Sequence, residues 1–186
     1  MTNSTRPQSY TCIAIAFHWL VVLLIVPGFA LGLYMSDLKL SPTKLQLYSY
    51  HKWIGITILA LAVLRLMWRA AHPVPLMPDT TPKWQQSVAT SVHVVLYVLI
   101  LAIPMSGWLF SSAAGFSVKY LGLLPLPDLV PKDKFLAEQL KDLHEILAWG
   151  LAGLVGLHVL AALKHHIVDR DDVLVRMLPF LRRRAS

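Results

Sequence analysis

Residues 143–163 read LHEILAWGLAGLVGLHVLAAL, an apolar run interrupted by one acid at its edge, Glu145, and by two histidines, His144 and His158. Its length meets the roughly 20 apolar residues that a helix needs to cross the hydrocarbon core of a bilayer. The histidines are 14 positions apart, which on a helix is about 21 Å of rise and within about 40° of the same face. A membrane-crossing helix that shows histidine at two depths on one face sets the frame for the remaining sequence. Three further stretches qualify as spans. Residues 12–35 carry no formal charge and contain the kink-prone pair Pro27-Gly28. Residues 48–68 have an apolar centre from Ile54 to Leu64, flanked by Lys52 and Arg65, whose long side chains can snorkel to the headgroups. Residues 88–110 carry Pro104 and Gly107 near their end. The expected fold is all-α, an integral membrane four-helix bundle formed as a single domain over residues 1–186.

Composition agrees. Hydrophobic residues are 56% and charged residues 15% of the 186, with a mean hydropathy of +0.57, against about 45–50% and 25% in soluble domains. This argues against a soluble single-core enzyme and against disorder. The single cysteine, Cys12, closes no intramolecular disulfide and builds no thiolate cluster, and it reads as a small buried hydrophobe. The net charge of +7 is distributed in a way that orients the chain rather than one that binds nucleic acid. Four spans put both termini on one side, and all eight arginines (Arg6, Arg65, Arg69, Arg170, Arg176, Arg182, Arg183, Arg184) fall there. With Lys83 and Lys164 added and Asp79, Asp169, Asp171 and Asp172 subtracted, that side carries +6 and the other +1. Both termini are therefore expected to be cytoplasmic. No small-residue cleavage site follows the first apolar stretch, so that helix is expected to remain rather than be removed as a signal peptide.

The cytoplasmic connection from His72 to Pro82 holds Pro73, Pro75, Pro78 and Pro82 and reads as a semi-rigid linker. The longest outer loop covers residues 111–142. After Pro131 it shows Leu136, Leu140, Leu143 and Leu147 at helical spacing, so a helix is expected to start outside the membrane and continue into the fourth span. No internal repeat, low-complexity tract or nucleotide-binding fingerprint stands out.

Five of the eight histidines, His18, His51, His93, His144 and His158, fall inside or at the edges of the spans. Ionisable residues at membrane depth are costly and mark functional sites. One alone reads as a residue hydrogen-bonded to a neighbouring helix; five together point to a shared task. Depth sorts them into levels. His51 and His144 lie near the outer side, whereas His158 lies near the inner side together with His18 and His93. The outer pair is His51 with His144, and the inner pair is His158 with either His18 or His93. Two imidazoles facing each other across a bundle are what a b-type haem needs, one on each axial face of the iron. No CxxCH motif offers covalent attachment, so two non-covalent b haems stacked across the bilayer are expected. Gly32 and Gly107 lie 14 positions after His18 and His93, and on this reading they leave room for the outer macrocycle. Arg65, 14 after His51, reaches the inner level, where it either pairs with a propionate or snorkels. A zinc, nickel or copper pathway would instead gather three or four ligands at one depth, with carboxylates or thiolates beside them.

Taken in order and spacing, Phe17-His18-Trp19-Leu20, His51-Lys52-Trp53-Ile54-Gly55, the Arg65-Leu66-Met67-Trp68-Arg69 exit with its Pro-rich loop, His144-Glu145, and Gly156-Leu157-His158 running through Ala161-Ala162 to His165-His166 carry a specific likeness. Along nearly its whole length the chain resembles the prokaryotic cytochrome b561 family. The resemblance implies His18 and His158 as axial ligands of one haem iron and His51 and His144 of the other. His93 matches a family histidine without a defined role. It further implies a multi-pass protein of the bacterial inner (cytoplasmic) membrane, an oxidoreductase that moves electrons from an outer-face one-electron donor, foremost superoxide, to ubiquinone. On that reading Lys39, Lys44, Lys52, Lys119 and Lys141 draw superoxide to the outer haem, and His165, about 20° from the face of His158, is the quinone contact. Two alternatives use the same residues differently. One is a haem electron-transfer subunit serving a partner dehydrogenase or periplasmic redox protein that docks on the 111–142 loop. The other is a non-redox metal-handling protein without haem. Trp19, Trp53, Trp68 and Trp108 read as aromatic-belt residues, and Met67 and Met105 as packing.

Overall fold

The computed structural model describes residues 9–75, 77 and 81–181. Four long helices dominate: α1 (Cys12–Ser36), α2 (Pro42–Ala71), α3 (Lys83–Ala113) and α4 (Lys134–Lys164). All four are long and apolar enough to cross a membrane. Helix starts follow local chemistry. Thr11 Oγ1 accepts from Ala14 N, Ser41 Oγ accepts from Lys44 N ahead of Pro42 at the first helical position, and Asp133 Oδ1 accepts from Leu136 N. The helix expected after Pro131 therefore begins at Lys134 and runs without interruption into the fourth span. α2 and α3 also start earlier than their apolar stretches, because charged and polar first turns extend them beyond the hydrocarbon. Helix α1 continues through Pro27.

Neighbours pack in chain order, α1 on α2, α2 on α3 and α3 on α4. Phe29 of α1 and Trp149 of α4 meet edge to face at 5.2 Å between ring centres and close the bundle. Large apolar side chains such as Leu23, Val63, Val98 and Leu160 point outward, as expected of helices solvated by lipid. The buried centre is small: Ala62, Ile100 and Leu151, with Ile25, Leu96 and Val155 against them. Ile25, Ile100 and Leu151 each lie seven residues, about 10 Å, from a histidine of their own helix, so this apolar layer sits between the two histidine levels.

Two connecting segments fold back onto the bundle ends. At one end, between α3 and α4, a short antiparallel hairpin pairs β1 (Lys119–Tyr120) with β2 (Leu124–Pro125). At the other, α4 passes into a π-helical turn over His165–Asp169, and Arg170 reverses the chain in the left-handed region at φ 55°. We call these the outer and inner ends, after the orientation the arginines imply. Of the residues behind that orientation, Arg6, Asp79, Arg182, Arg183 and Arg184 lie outside the described residues, as does Pro78 of the linker. Cys12 corrects the sequence reading: it is exposed at the first position of α1, not buried.

Candidate functional site

At the outer level the rings of His51 (α2) and His144 (α4) face each other edge to face, 6.0 Å between centres. Each is held by the helix beside it. His51 Nδ1 lies 3.0 Å from the carbonyl oxygen of Gly28, and His144 Nδ1 lies 2.9 Å from that of Ile103 and 3.1 Å from Ser106 Oγ. The Ser106 hydroxyl donates to the Ile103 carbonyl at 2.8 Å, so its oxygen is free to accept from the imidazole. Backbone acceptors put the proton on Nδ1 and leave Nε2 as the metal-binding lone pair, the usual outer-sphere arrangement of a ligating histidine.

Gly32 and Gly107 face this level, as their spacing from His18 and His93 suggests. A Cβ at Gly32 would stand 3.3 Å from His51 Cε1, and one at Gly107 3.0 Å from His144 Cε1. The glycines make room for the imidazoles of the adjoining helices. A cavity of about 90 Å³ lies beside the pair, bounded by Met35, Gly55, Pro104, Trp108 and the buried Val118.

The inner level is more crowded with polar groups and has the larger cavity. His158 (α4) faces both remaining candidates, with ring centres 6.5 Å from His18 (α1) and 5.4 Å from His93 (α3). The Nδ1 of His18 is buried without a hydrogen-bond partner. Arg65 reaches this level, and its guanidinium lies 5.2 Å from the centre of the Tyr97 ring, with Arg69 at 5.6 Å from the same ring. A cavity of about 360 Å³ connects the three histidines and both arginines to the inner face, where His72 stacks on Trp68 at 3.9 Å.

His165 does not line that cavity. Its Nδ1 lies 2.6 Å from Asp171 Oδ2 and 3.2 Å from Asp169 Oδ2, while Lys164 Nζ neutralises Asp169 at 2.7 Å. This cluster pins the reversed C-terminal segment.

The donor set fits b-type haem. A metal–imidazole distance of about 2.0–2.1 Å places the centres of two trans imidazoles roughly 6–6.5 Å apart. The His51–His144 and His18–His158 separations meet that figure, and each pair comes from two different helices. The orphaned His18 nitrogen and the close glycine approach at the outer rings are features that simple packing would not select.

Several groups escaped the sequence reading. The carbonyls of Gly28 and Ile103 and the hydroxyl of Ser106 orient the outer histidines, and Tyr97 receives the two arginines. A signal was present. His18, Gly28 and Gly32 on α1 correspond to His93, Ile103 and Gly107 on α3, each 75 positions later, and His51 and Arg65 on α2 to His144 and His158 on α4, each 93 later. The sequence does contain an internal repeat, of positions rather than identities, stretched by the long outer loop. The four tryptophans also do more than line a membrane interface. Their indole N–H groups bond connecting segments or the start of α1: Trp19 to Met177 O, Trp53 to Lys119 O, Trp68 to Thr11 Oγ1 and Trp108 to Pro127 O.

Comparison with known proteins identifies the family. Residues 9–180 match the family model described as prokaryotic cytochrome b561. The chain is 36% identical to cytochrome b561 homolog 2 of Escherichia coli (strain K12) over 96% of its own length and 95% of the relative's. It is 33% identical to the probable superoxide oxidase CybB of Yersinia pestis over 92% and 97%, and 31% identical to cytochrome b561 homolog 1 of E. coli over 96% and 98%. With four apolar helices and paired intramembrane histidines, the chain belongs to the prokaryotic cytochrome b561 family, multi-pass bacterial membrane electron-transfer proteins that carry b-type haem.

Proposed function

We propose that this protein is a di-haem oxidoreductase of the bacterial inner membrane that takes electrons singly from superoxide at its outer face and delivers them to ubiquinone at its inner side. Two superoxide ions, one ubiquinone and two protons give two molecules of dioxygen and one ubiquinol. The observation that carries this reading is the pair of histidine pairs, at 6.0 Å and 6.5 Å between ring centres, on opposite sides of an apolar layer. Bound haem supplies a one-electron store at each level, so two single electrons can be gathered for a two-electron acceptor.

His51 and His144 hold the outer group, oriented through Nδ1 by the Gly28 and Ile103 carbonyls. His18 and His158 hold the inner one. The shorter 5.4 Å between His93 and His158 fits two trans ligands less well, which supports His18. Arg65 places a fixed positive charge at the inner level, suited to a propionate. Lys52 stands over the outer cavity with Nζ bonded to Phe116 O, and with Lys39, Lys44, Lys119 and Lys141 it gives the outer end a local positive field for an anionic donor. The name of the Yersinia relative supports superoxide as that donor. On this reading His165 is the quinone-side contact: Asp171 and Asp169 hold its Nδ1 side as an imidazolium, which gives its Nε2 proton to the quinone oxygen and returns to the neutral ring with Nδ1–H on Asp171. The arginines support cytoplasmic termini.

A dithionite-reduced minus oxidised spectrum with a pyridine haemochrome assay should give two b haems per chain, and stopped-flow superoxide should reduce them, with ubiquinone restoring the oxidised spectrum. His165→Ala should slow that last step and leave both haems intact. Haem that superoxide fails to reduce would turn the protein into a carrier for a partner, and absence of haem after expression with ample haem supply would overturn the reading altogether.

A further inference from the structure

The outer hairpin is placed unusually low for a loop. His51 Nδ1 bonds the Gly28 carbonyl, and a Cβ on Gly28 would stand 3.1 Å from Ile54 Cγ2, so residues 51–54 of α2 are level with Gly28 of α1. That level is eight residues, about 12 Å, short of the outer end of α1 at Ser36. A 25-residue helix is about 37 Å long and overshoots a hydrocarbon core of about 30 Å by only a few ångströms at each end. The hairpin is fastened beside this level. Trp53 Nε1 donates to Lys119 O at 2.7 Å, the Tyr120 hydroxyl and Thr57 Oγ1 are 2.9 Å apart, and Trp108 Nε1 donates to Pro127 O from within α3. Side chains of α2 lean outward, toward its N-terminus. With α1 centred on the hydrocarbon core, the attachment lies below the headgroup boundary even with that lean.

Its sequence suits lipid rather than water. Residues 120–127, YLGLLPLP, contain no charge, and the polar groups gather at the base, where Ser117 Oγ donates to Asp128 Oδ2. The leucines of the tip face away from the bundle, Leu123 with 86% of its surface exposed and Leu121 and Leu124 more than half exposed. At the turn Leu121 and Gly122 both adopt positive φ, 52° and 74°. Water-exposed turns of this kind favour Asn or Asp at such positions, and a leucine there adds apolar surface at a conformational cost. The backbone is prepared for a dry setting as well. Pro125 and Pro127 have no N–H, while Gly122, Leu123 and Leu126 donate to Lys119, Tyr120 and Val118 within the hairpin.

We infer that residues 120–127 form a re-entrant wedge seated in the outer leaflet, with Leu121, Leu123 and Leu124 in contact with lipid acyl chains. The partner of this surface is the bilayer that surrounds the helices. The wedge gives the outer cavity a lid, through the buried Val118 at its root. It also removes the most apolar part of this loop from the water-facing surface on which a soluble redox protein would dock. The inference rests on the membrane fold alone and not on the donor or acceptor.

The test places a nitroxide at Leu123→Cys in a Cys12→Ser background, in lipid nanodiscs, with the haem absorption spectrum checked against the parent. Val98→Cys, on the lipid-facing side of α3, and Glu138→Cys, exposed near the start of α4, supply the lipid and water references. The wedge requires collision with oxygen to dominate over collision with a water-soluble nickel complex, as at Val98. A nickel accessibility equal to that at Glu138 would put the tip in water and overturn the inference. Protection from both reagents with dipolar broadening between labels would overturn it too, in favour of a second copy packed on the tip. Leu124→Cys repeats the measurement should the first variant fail to assemble.

Discussion

The two histidine levels are built from corresponding positions of two helix pairs, yet they differ in how their rings are held. At the outer level both imidazoles are fixed by carbonyls, pressed by glycines and left with about 90 Å³ of space. At the inner level one histidine faces two, a ring nitrogen goes without a partner, two arginines share a tyrosine, and the cavity is about 360 Å³ and open to the inner face. The repeat itself shows where they diverge. Arg65 stands where the second pair has His158, so the inner level lacks the symmetry of His51 and His144. The outer level holds both rings by the same kind of backbone contact, whereas the inner level, with its larger cavity and two arginines, offers cationic groups to anionic ones.

The largest effects come from removing ligands, and they break the comparison outright. His144→Ala should leave one haem per chain, the inner one, and His158→Ala should leave the outer one. Each should slow electron flow from donor to quinone by more than the 10–100-fold typical of losing an outer-sphere partner. The inner level gives the sharper case, because His18→Ala and His93→Ala have different consequences. Pyridine haemochrome should give one haem per chain for the first and two for the second. The reverse result would make His93 the ligand and His18 its neighbour.

A smaller effect separates the two halves of the outer level. A methyl group at residue 107 meets His144 at 3.0 Å and 3.2 Å, whereas one at residue 32 meets His51 at 3.3 Å and 3.7 Å. Gly107→Ala should therefore displace its imidazole and cost about 1–3 kcal/mol of stability, as overpacking does. Gly32→Ala should cost less because its methyl meets the neighbouring ring less closely, the gain in helix propensity of about 1 kcal/mol offsetting part of the contact in both variants. Thermal unfolding followed through the haem absorption measures both, and the inner haem band should stay in place in each variant.

This contrast between levels was only half legible in the sequence. Spans, their order and the depth of each histidine follow from hydropathy and the 3.6-residue period, because lipid solvation leaves a strong compositional trace. So does the start of α4 outside the fourth span, through the leucine repeat after Pro131. What could not be read was which atom holds which ring. The Gly28 and Ile103 carbonyls carry no residue-type signal, since every residue has a carbonyl, and only the 75-residue correspondence between α1 and α3 marks them. Spacing puts the glycines on the right face without showing the imidazole each one meets, because spacing along one helix gives depth but not what the next helix presents there. The hairpin was invisible for a related reason. Its depth is set by Trp53, Thr57 and Trp108, each of which reads on its own as an ordinary interfacial or helical residue.

The finest asymmetry is within the outer pair. His144 has two acceptors for its Nδ1 proton, the Ile103 carbonyl and Ser106 Oγ, and His51 has one, the Gly28 carbonyl. The position on α1 that corresponds to Ser106 is Leu31, which has no acceptor to offer. An acceptor on Nδ1 raises the electron density of the ligating nitrogen and stabilises the oxidised metal. Ser106→Ala should therefore raise the outer haem potential. One neutral hydrogen bond contributes about 0.5–1.5 kcal/mol. About 59 mV corresponds to a tenfold change in a one-electron equilibrium, so the rise should be of order a few tens of millivolts. Leu31→Ser should lower the potential by a similar or smaller amount if its hydroxyl reaches His51. Redox titration of the outer haem in both variants reads the effect directly, with the inner potential as internal reference. An unchanged outer potential in Ser106→Ala would mean that the Ile103 carbonyl alone sets the state of His144, and that the two outer ligands are equivalent in their electronics despite their different surroundings.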